Sequence, residues 1–91
     1  MRRAAAWSVY VVRCADGTLY TGVTTDLDRR LAQHDAGRGA AYTRGRGPVA
    51  LLYSRRGFTR SDALKREAAI KSLPRVGKLA LARGRSRARR S

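Results

Sequence analysis

Apolar and polar positions change period along this chain in a way that maps its elements. Trp7 to Cys14 (WSVYVVRC) and Leu19 to Thr24 (LYTGVT) are rich in Val, Tyr and Thr and flank the turn-forming ADGT, the pattern of a β-hairpin. From Thr25 the spacing lengthens. Leu27, Leu31 and His34 recur at helical intervals, Gly37 ends the run, and Thr25 with Asp28 three residues on is the expected cap. The stretch 37–48 (GRGAAYTRGRGP) holds four glycines, three arginines and a proline and reads as a basic loop. VALLYSRRGF (49–58) reads as a buried-type strand. TRSDALKREAAIKSL (59–73) opens on capping residues, places Ala63, Leu64, Ile70 and Leu73 on helical spacings and stops before Pro74.

A short third helix fits PRVGKLALARG (74–84), and RGRSRARRS (83–91) follows with five arginines and one alanine, a composition that predicts a disordered tail. The order ββαβαα implies an α+β domain, a three-stranded antiparallel sheet flanked by helices. The expected domain spans residues 7–82 and the basic tail 83–91.

Charge narrows the function classes. Twenty-one Lys and Arg against six acids give a formal net charge of +15, which would repel itself without a polyanionic partner. Nucleic acid is the expected partner. The apolar runs are a few residues long, so no membrane span is expected. The basic start MRRAAAW runs straight into the strand pattern without a cleavage region, which predicts a cytoplasmic protein. The lone Cys14 excludes a disulfide framework and a cysteine-rich zinc site, and its neighbours predict a small buried apolar residue.

Several residues carry candidate chemistry. Tyr10 and Tyr20 stand one on each arm of the hairpin. Arg30 and His34 are four apart and share a helix face, where a guanidinium can bind phosphate beside an imidazole that titrates near neutrality. Glu67 is the only glutamate, and a mid-helix carboxylate opposes polyanion binding unless a cation lies between. Mg²⁺ suits such a site, since it takes one or two carboxylates plus substrate oxygens and water. Singly, each residue has an ordinary explanation: strand aromatics, a solvated helix arginine, a boundary histidine, and an i,i+4 pair for Glu67 with Lys71.

Taken in order, SVY (8–10), YTG (20–22), Arg30, His34 and the ALKREAAIK run around Glu67 resemble a GIY-YIG nuclease domain of the small stand-alone bacterial kind. The resemblance covers roughly residues 7–82. It implies a metal-dependent phosphodiesterase in which Tyr10 and Tyr20 face the scissile phosphate as candidate general base and water-positioning group. Arg30 would contact the phosphate, His34 assist proton transfer and Glu67 hold one divalent metal, Mg²⁺ or Mn²⁺. The expected activity is endonucleolytic hydrolysis of DNA, structure-selective cutting included, with RNA as a second candidate substrate and a protein partner for targeting as a further reading. The alternative from another class is a non-catalytic nucleic-acid-binding module, RNA- or ribosome-associated, on the same fold. Arg38, Tyr42, Arg44, Arg46 and Lys71 are the expected nucleic-acid contacts, the arginines and tyrosine of the loop suiting backbone contact and base stacking.

One geometric condition follows. A two-residue Asp-Gly turn would oppose Tyr10 to Val23 and put the two tyrosines on opposite faces. A single site using both needs an odd number of loop residues or a bulge, with both hydroxyls on one face.

Overall fold

The central strand of the sheet is the first one made. A computed structural model describes residues 6–37 and 48–90, in which β1 (Trp7–Arg13) is flanked antiparallel by β2 (Leu19–Thr24) and β3 (Ala50–Phe58), in the order β2-β1-β3. The helices are α1 (Leu27–Asp35), α2 (Arg60–Lys71) and α3 (Arg75–Arg90). This is the α+β architecture expected.

The hairpin loop is of the odd-numbered kind. Tyr10 lies opposite Gly22 and Val12 opposite Tyr20, and since Tyr10 and Val12 are two apart, the tyrosines share a face. The Gly17 N–H donates to the Cys14 carbonyl at 2.9 Å and the Cys14 N–H to the Thr18 carbonyl at 2.8 Å. Ala15, Asp16 and Gly17 thus form a three-residue loop, a tight turn followed by a glycine at φ 88°, a conformation that favours glycine. The Asp16 carboxylate accepts from the Thr18 N–H and hydroxyl at 3.1 and 2.6 Å, which fixes the turn.

On its other side β1 meets a strand with two extra residues. The pairing steps from Val11↔Tyr53 to Val12↔Leu51 and from Ser8↔Arg56 to Trp7↔Phe58, so Leu52 and Gly57 bulge, Gly57 at φ 95°. The second bulge sets Phe58 opposite Trp7. Val9 and Val11 form the core with Tyr53, Ala63 and Ile70, and Trp7, Leu19, Val23, Phe58 and Leu81 close around it. Tyr10 and Val12, on the other face, are also fully buried, and Cys14 is buried as expected.

Two local expectations are corrected. The cap of α1 is Asp26, whose carboxylate accepts from the Arg29 N–H at 3.2 Å. Thr25 is displaced from that role because Thr24 already brackets Asp26, its hydroxyl bonded to both the N–H and the carbonyl. In α2 the covered stripe is Ala63, Arg66, Glu67 and Ile70, spaced i, i+3, i+4, i+7. Leu64 falls one residue off that stripe and is 38% exposed. α3 runs from Arg75 to Arg90. Arg75 ties the start of α3 to the hairpin, donating to the Gly17 carbonyl at 2.8 Å.

The two apolar residues of α2 should therefore separate sharply. Ile70→Ala is expected to cost about 3 kcal/mol and Leu64→Ala less than about 1 kcal/mol, as measured by urea unfolding.

Candidate active site

α1 is positioned to bury a histidine against the tyrosine of β1. Asp26 starts the helix two residues beyond β2, and Gly37, at φ 76°, donates its N–H to the His34 carbonyl at 3.0 Å and ends it. Between them His34, 0% exposed, comes down on Tyr10, also 0% exposed. The Tyr10 Oη and the His34 Nε2 are 2.9 Å apart. Tyr20 completes a ring cluster, with centroids 6.4 Å from Tyr10 and 5.4 Å from His34, the latter edge-on.

A glycine makes room for this pair. Gly22 faces Tyr10 across the ladder, and a Cβ built at Gly22 would stand 2.5 Å from the Tyr10 Oη and 2.7 Å from its Cζ. No side chain fits there without moving the phenol. Sequence reasoning saw Gly22 only as part of a motif, because its reason is a tyrosine twelve residues away.

Arg30 and Glu67 reach the same phenol electrostatically. Burial pushes Tyr10 above the ordinary phenol value of 10.0; the Arg30 guanidinium, as hydrogen-bond donor and as charge, pulls it down, and Tyr20 and Glu67 push it further up. Burial prevails, so the resting group is the neutral phenol. Burial also holds His34 below the ordinary 6.5, with the Arg30 charge acting the same way and Asp35 against it. The imidazole is neutral at pH 7, where an exposed one would be at the edge of titration.

Arg30 donates from Nη1 to the Gln33 Oε1 at 3.0 Å, a partner that sequence spacing could have offered but that no charge pattern flags. Glu67, its side chain 18% exposed, pairs with Lys71 at 3.2 Å, and the Lys71 side chain is 54% exposed. The ordinary i,i+4 pair is therefore present, alongside the influence of Glu67 on Tyr10. Tyr10, Tyr20, Arg30, His34 and Glu67 thus share one electrostatic neighbourhood. Lys71 borders it through Glu67. Arg38, Tyr42, Arg44 and Arg46 lie outside the described residues.

Among the described residues no group of three His, Cys, Asp or Glu could cage a metal. A single half-buried carboxylate still suits Mg²⁺ or Mn²⁺ when substrate phosphate and water complete the shell, and does not suit zinc. Among the described residues no helix is long and apolar enough to cross a membrane.

Residues 6–79 match the sequence model of the GIY-YIG catalytic domain. A UPF0213 protein of the archaeon Natronomonas pharaonis is 57% identical over 75 residues, covering 82% of this chain and 88% of that protein. Another, from the bacterium Oceanobacillus iheyensis, is 51% identical over 73 residues, covering 80% and 85%. Among solved structures, the NMR structure of a UPF0213 protein from Bacillus halodurans is 44% identical, with TM-score 0.52 over 82% of this chain and 80% of that one. A protein from E. faecalis gives 41% and 0.57, over 88% and 85%.

The phenol and its glycine should prove inseparable. Gly22→Ala is expected to displace Tyr10, break its bond to His34 and cost about 2 kcal/mol in chemical unfolding, and NMR titration should show the His34 pKa rising toward 6.5.

The pH dependence of stability has a definite sign. The unfolded chain takes up the His34 proton near 6.5 while the folded chain does not, so stability falls as pH drops below about 6.5 towards the folded pKa. On the alkaline side the unfolded chain loses the Tyr10 proton near 10 first, so stability falls as pH rises above about 10. Because His34 is the only histidine, melting of His34→Gln should lack the slope just below pH 6.5.

Proposed function

This chain belongs to the GIY-YIG family, whose catalytic domain is that of a nuclease acting on nucleic acid, and from that premise we propose that it is a Mg²⁺- or Mn²⁺-dependent endonuclease that hydrolyses DNA. The observation that carries the reading is the buried Tyr10–His34 hydrogen bond at 2.9 Å, a phenol and an imidazole both held neutral beside an arginine.

In the proposed mechanism Arg30 receives the scissile phosphate through its guanidinium, which matches two phosphoryl oxygens at once. The phosphate offsets the positive charge that depresses His34, so the imidazole becomes more basic when substrate is bound. The Tyr10 Oη is sealed from solvent in the unliganded protein, so the step requires that the attacking water enter with the substrate. With the His34 proton on Nδ1, the Tyr10 hydroxyl then gives its proton to Nε2 as the phenol oxygen takes one from that water. Oxygen of that water bonds to phosphorus and the bond to the leaving sugar oxygen breaks, the departing oxygen taking a proton from solvent water. Tyr20, edge-on to His34, helps orient the water. Glu67 would hold the divalent cation, which supplies charge stabilisation of the phosphoryl oxygens and a more acidic water. Charge elsewhere on this +15 chain supplies sequence-independent affinity.

The ion pair between Glu67 and Lys71 favours the second reading, a binding module with no metal, in which Glu67 only braces α2. Plasmid and branched-DNA cleavage with and without Mg²⁺ decides between them. Under the enzyme reading Glu67→Gln abolishes cleavage while DNA affinity stays equal or improves, since a negative charge facing phosphate has gone. Tyr10→Phe and Arg30→Ala lose turnover as well. Undiminished cleavage by Glu67→Gln would remove Glu67 from the site, and no metal-dependent cleavage by the parent protein would leave the binding module.

A further inference from the structure

Beside Arg30 lies a cleft of about 310 Å³, at the low end of the roughly 300–1,000 Å³ typical of small-molecule sites. One wall is a helical stripe, Asp26, Arg29, Arg30 and Gln33, and the strands contribute Trp7 and Thr24. The stripe is spaced i, i+3, i+4, i+7, one face of α1 from its cap onward. The Gln33 Oε1 is taken by Arg30, which leaves the amide NH₂ to face a ligand as a donor. Arg29 makes no ion pair among the described residues. The indole of Trp7 is steadied by the Arg60 guanidinium, 6.0 Å from its ring centroid.

We propose that this cleft is a subsite for one nucleotide adjoining the scissile phosphate, turned out of the double helix. The inference rests on the reading of Arg30 as the phosphate ligand, because Arg30 is the residue that the cleft and the Tyr10 neighbourhood share. Two guanidiniums against one carboxylate call for an anion. An aromatic residue and an amide residue in its lining, Trp7 and Gln33, suit a base and sugar attached to it. The volume suits one nucleotide and is far too small for a duplex, so the occupant must leave the stack, which costs least where DNA is frayed, mismatched or branched. Structure-selective cutting then follows from the size of the cleft, with no sequence readout required.

Trp7 is the only tryptophan in the chain, so its fluorescence reports the cleft directly and without turnover. Thymidine 5′-monophosphate should change the emission saturably, while thymidine and inorganic phosphate at matched concentrations should bind far more weakly. Arg29→Ala and Gln33→Ala should each weaken the nucleotide roughly tenfold, the loss of one charge-assisted or amide contact. In cleavage assays, an abasic residue in place of the flipped nucleotide should raise KM with little change in kcat. The proposal is overturned if the mononucleotide gives no saturable change, if phosphate alone matches it, or if both variants bind as the parent does. Saturable, variant-sensitive binding by a protein that cleaves nothing would instead sink the nuclease reading and leave the subsite standing.

Discussion

Two polar atoms that solvent does not reach, the Tyr10 Oη and the His34 Nε2, must find their partners inside the protein, and at 2.9 Å they find each other. Leaving either unsatisfied would cost about 1–3 kcal/mol, a large part of what a domain this small can hold. Much of the architecture meets that requirement. The three-residue hairpin loop sets the register that puts Gly22 beneath the phenol and Tyr20 beside it. Asp26 and Gly37 fix where α1 begins and ends, and so which of its residues points down. The apolar core lies on the opposite face of the sheet, where α2 packs, so each face of β1 is buried for a different reason.

The elements were legible because local signals agreed with the final fold: alternating Val and Tyr in β1, a Thr cap before α2, and glycine after α1. The shared face of the tyrosines was legible only conditionally. ADGT is compatible with a two- or a three-residue loop, and the choice depends on the hydrogen bond from Cys14 to Thr18, which no residue type announces. Leu64 was misplaced because hydrophobic spacing cannot register a covered stripe that contains Arg66 and Glu67. Order and spacing picked out residues that the fold brings into one neighbourhood, but not their protonation states. Burial, a property of the assembled sheet and helix, decides both, in opposite directions for phenol and imidazole.

The scarcity of acids makes each one informative. Asp16 fixes the hairpin turn, Asp26 caps α1, Asp62 lies in the first turn of α2, and Asp35 accepts from the Val49 N–H at 2.7 Å. Asp28 occupies the first turn of α1. Each satisfies backbone donors or sits near a positive helix end, where a carboxylate is favourable even on an isolated domain. Glu67 is the exception, placed mid-helix on the covered stripe of α2, paired with Lys71 and close enough to raise the Tyr10 pKa.

The strand order β2-β1-β3 also has a temporal meaning. As the chain leaves the ribosome, β1 can zip with β2 as soon as residue 24 is free, but its other edge waits for β3, which is complete only at residue 58. During that interval the Val9–Val12 stretch, wholly buried in the finished molecule, offers an open line of backbone groups beside bare valines, the arrangement most prone to pairing with another chain. The arginines that follow in the 37–48 segment give every such nascent chain the same sign of charge, and like-charged neighbours approach one another least readily while the gap in the sheet is still open.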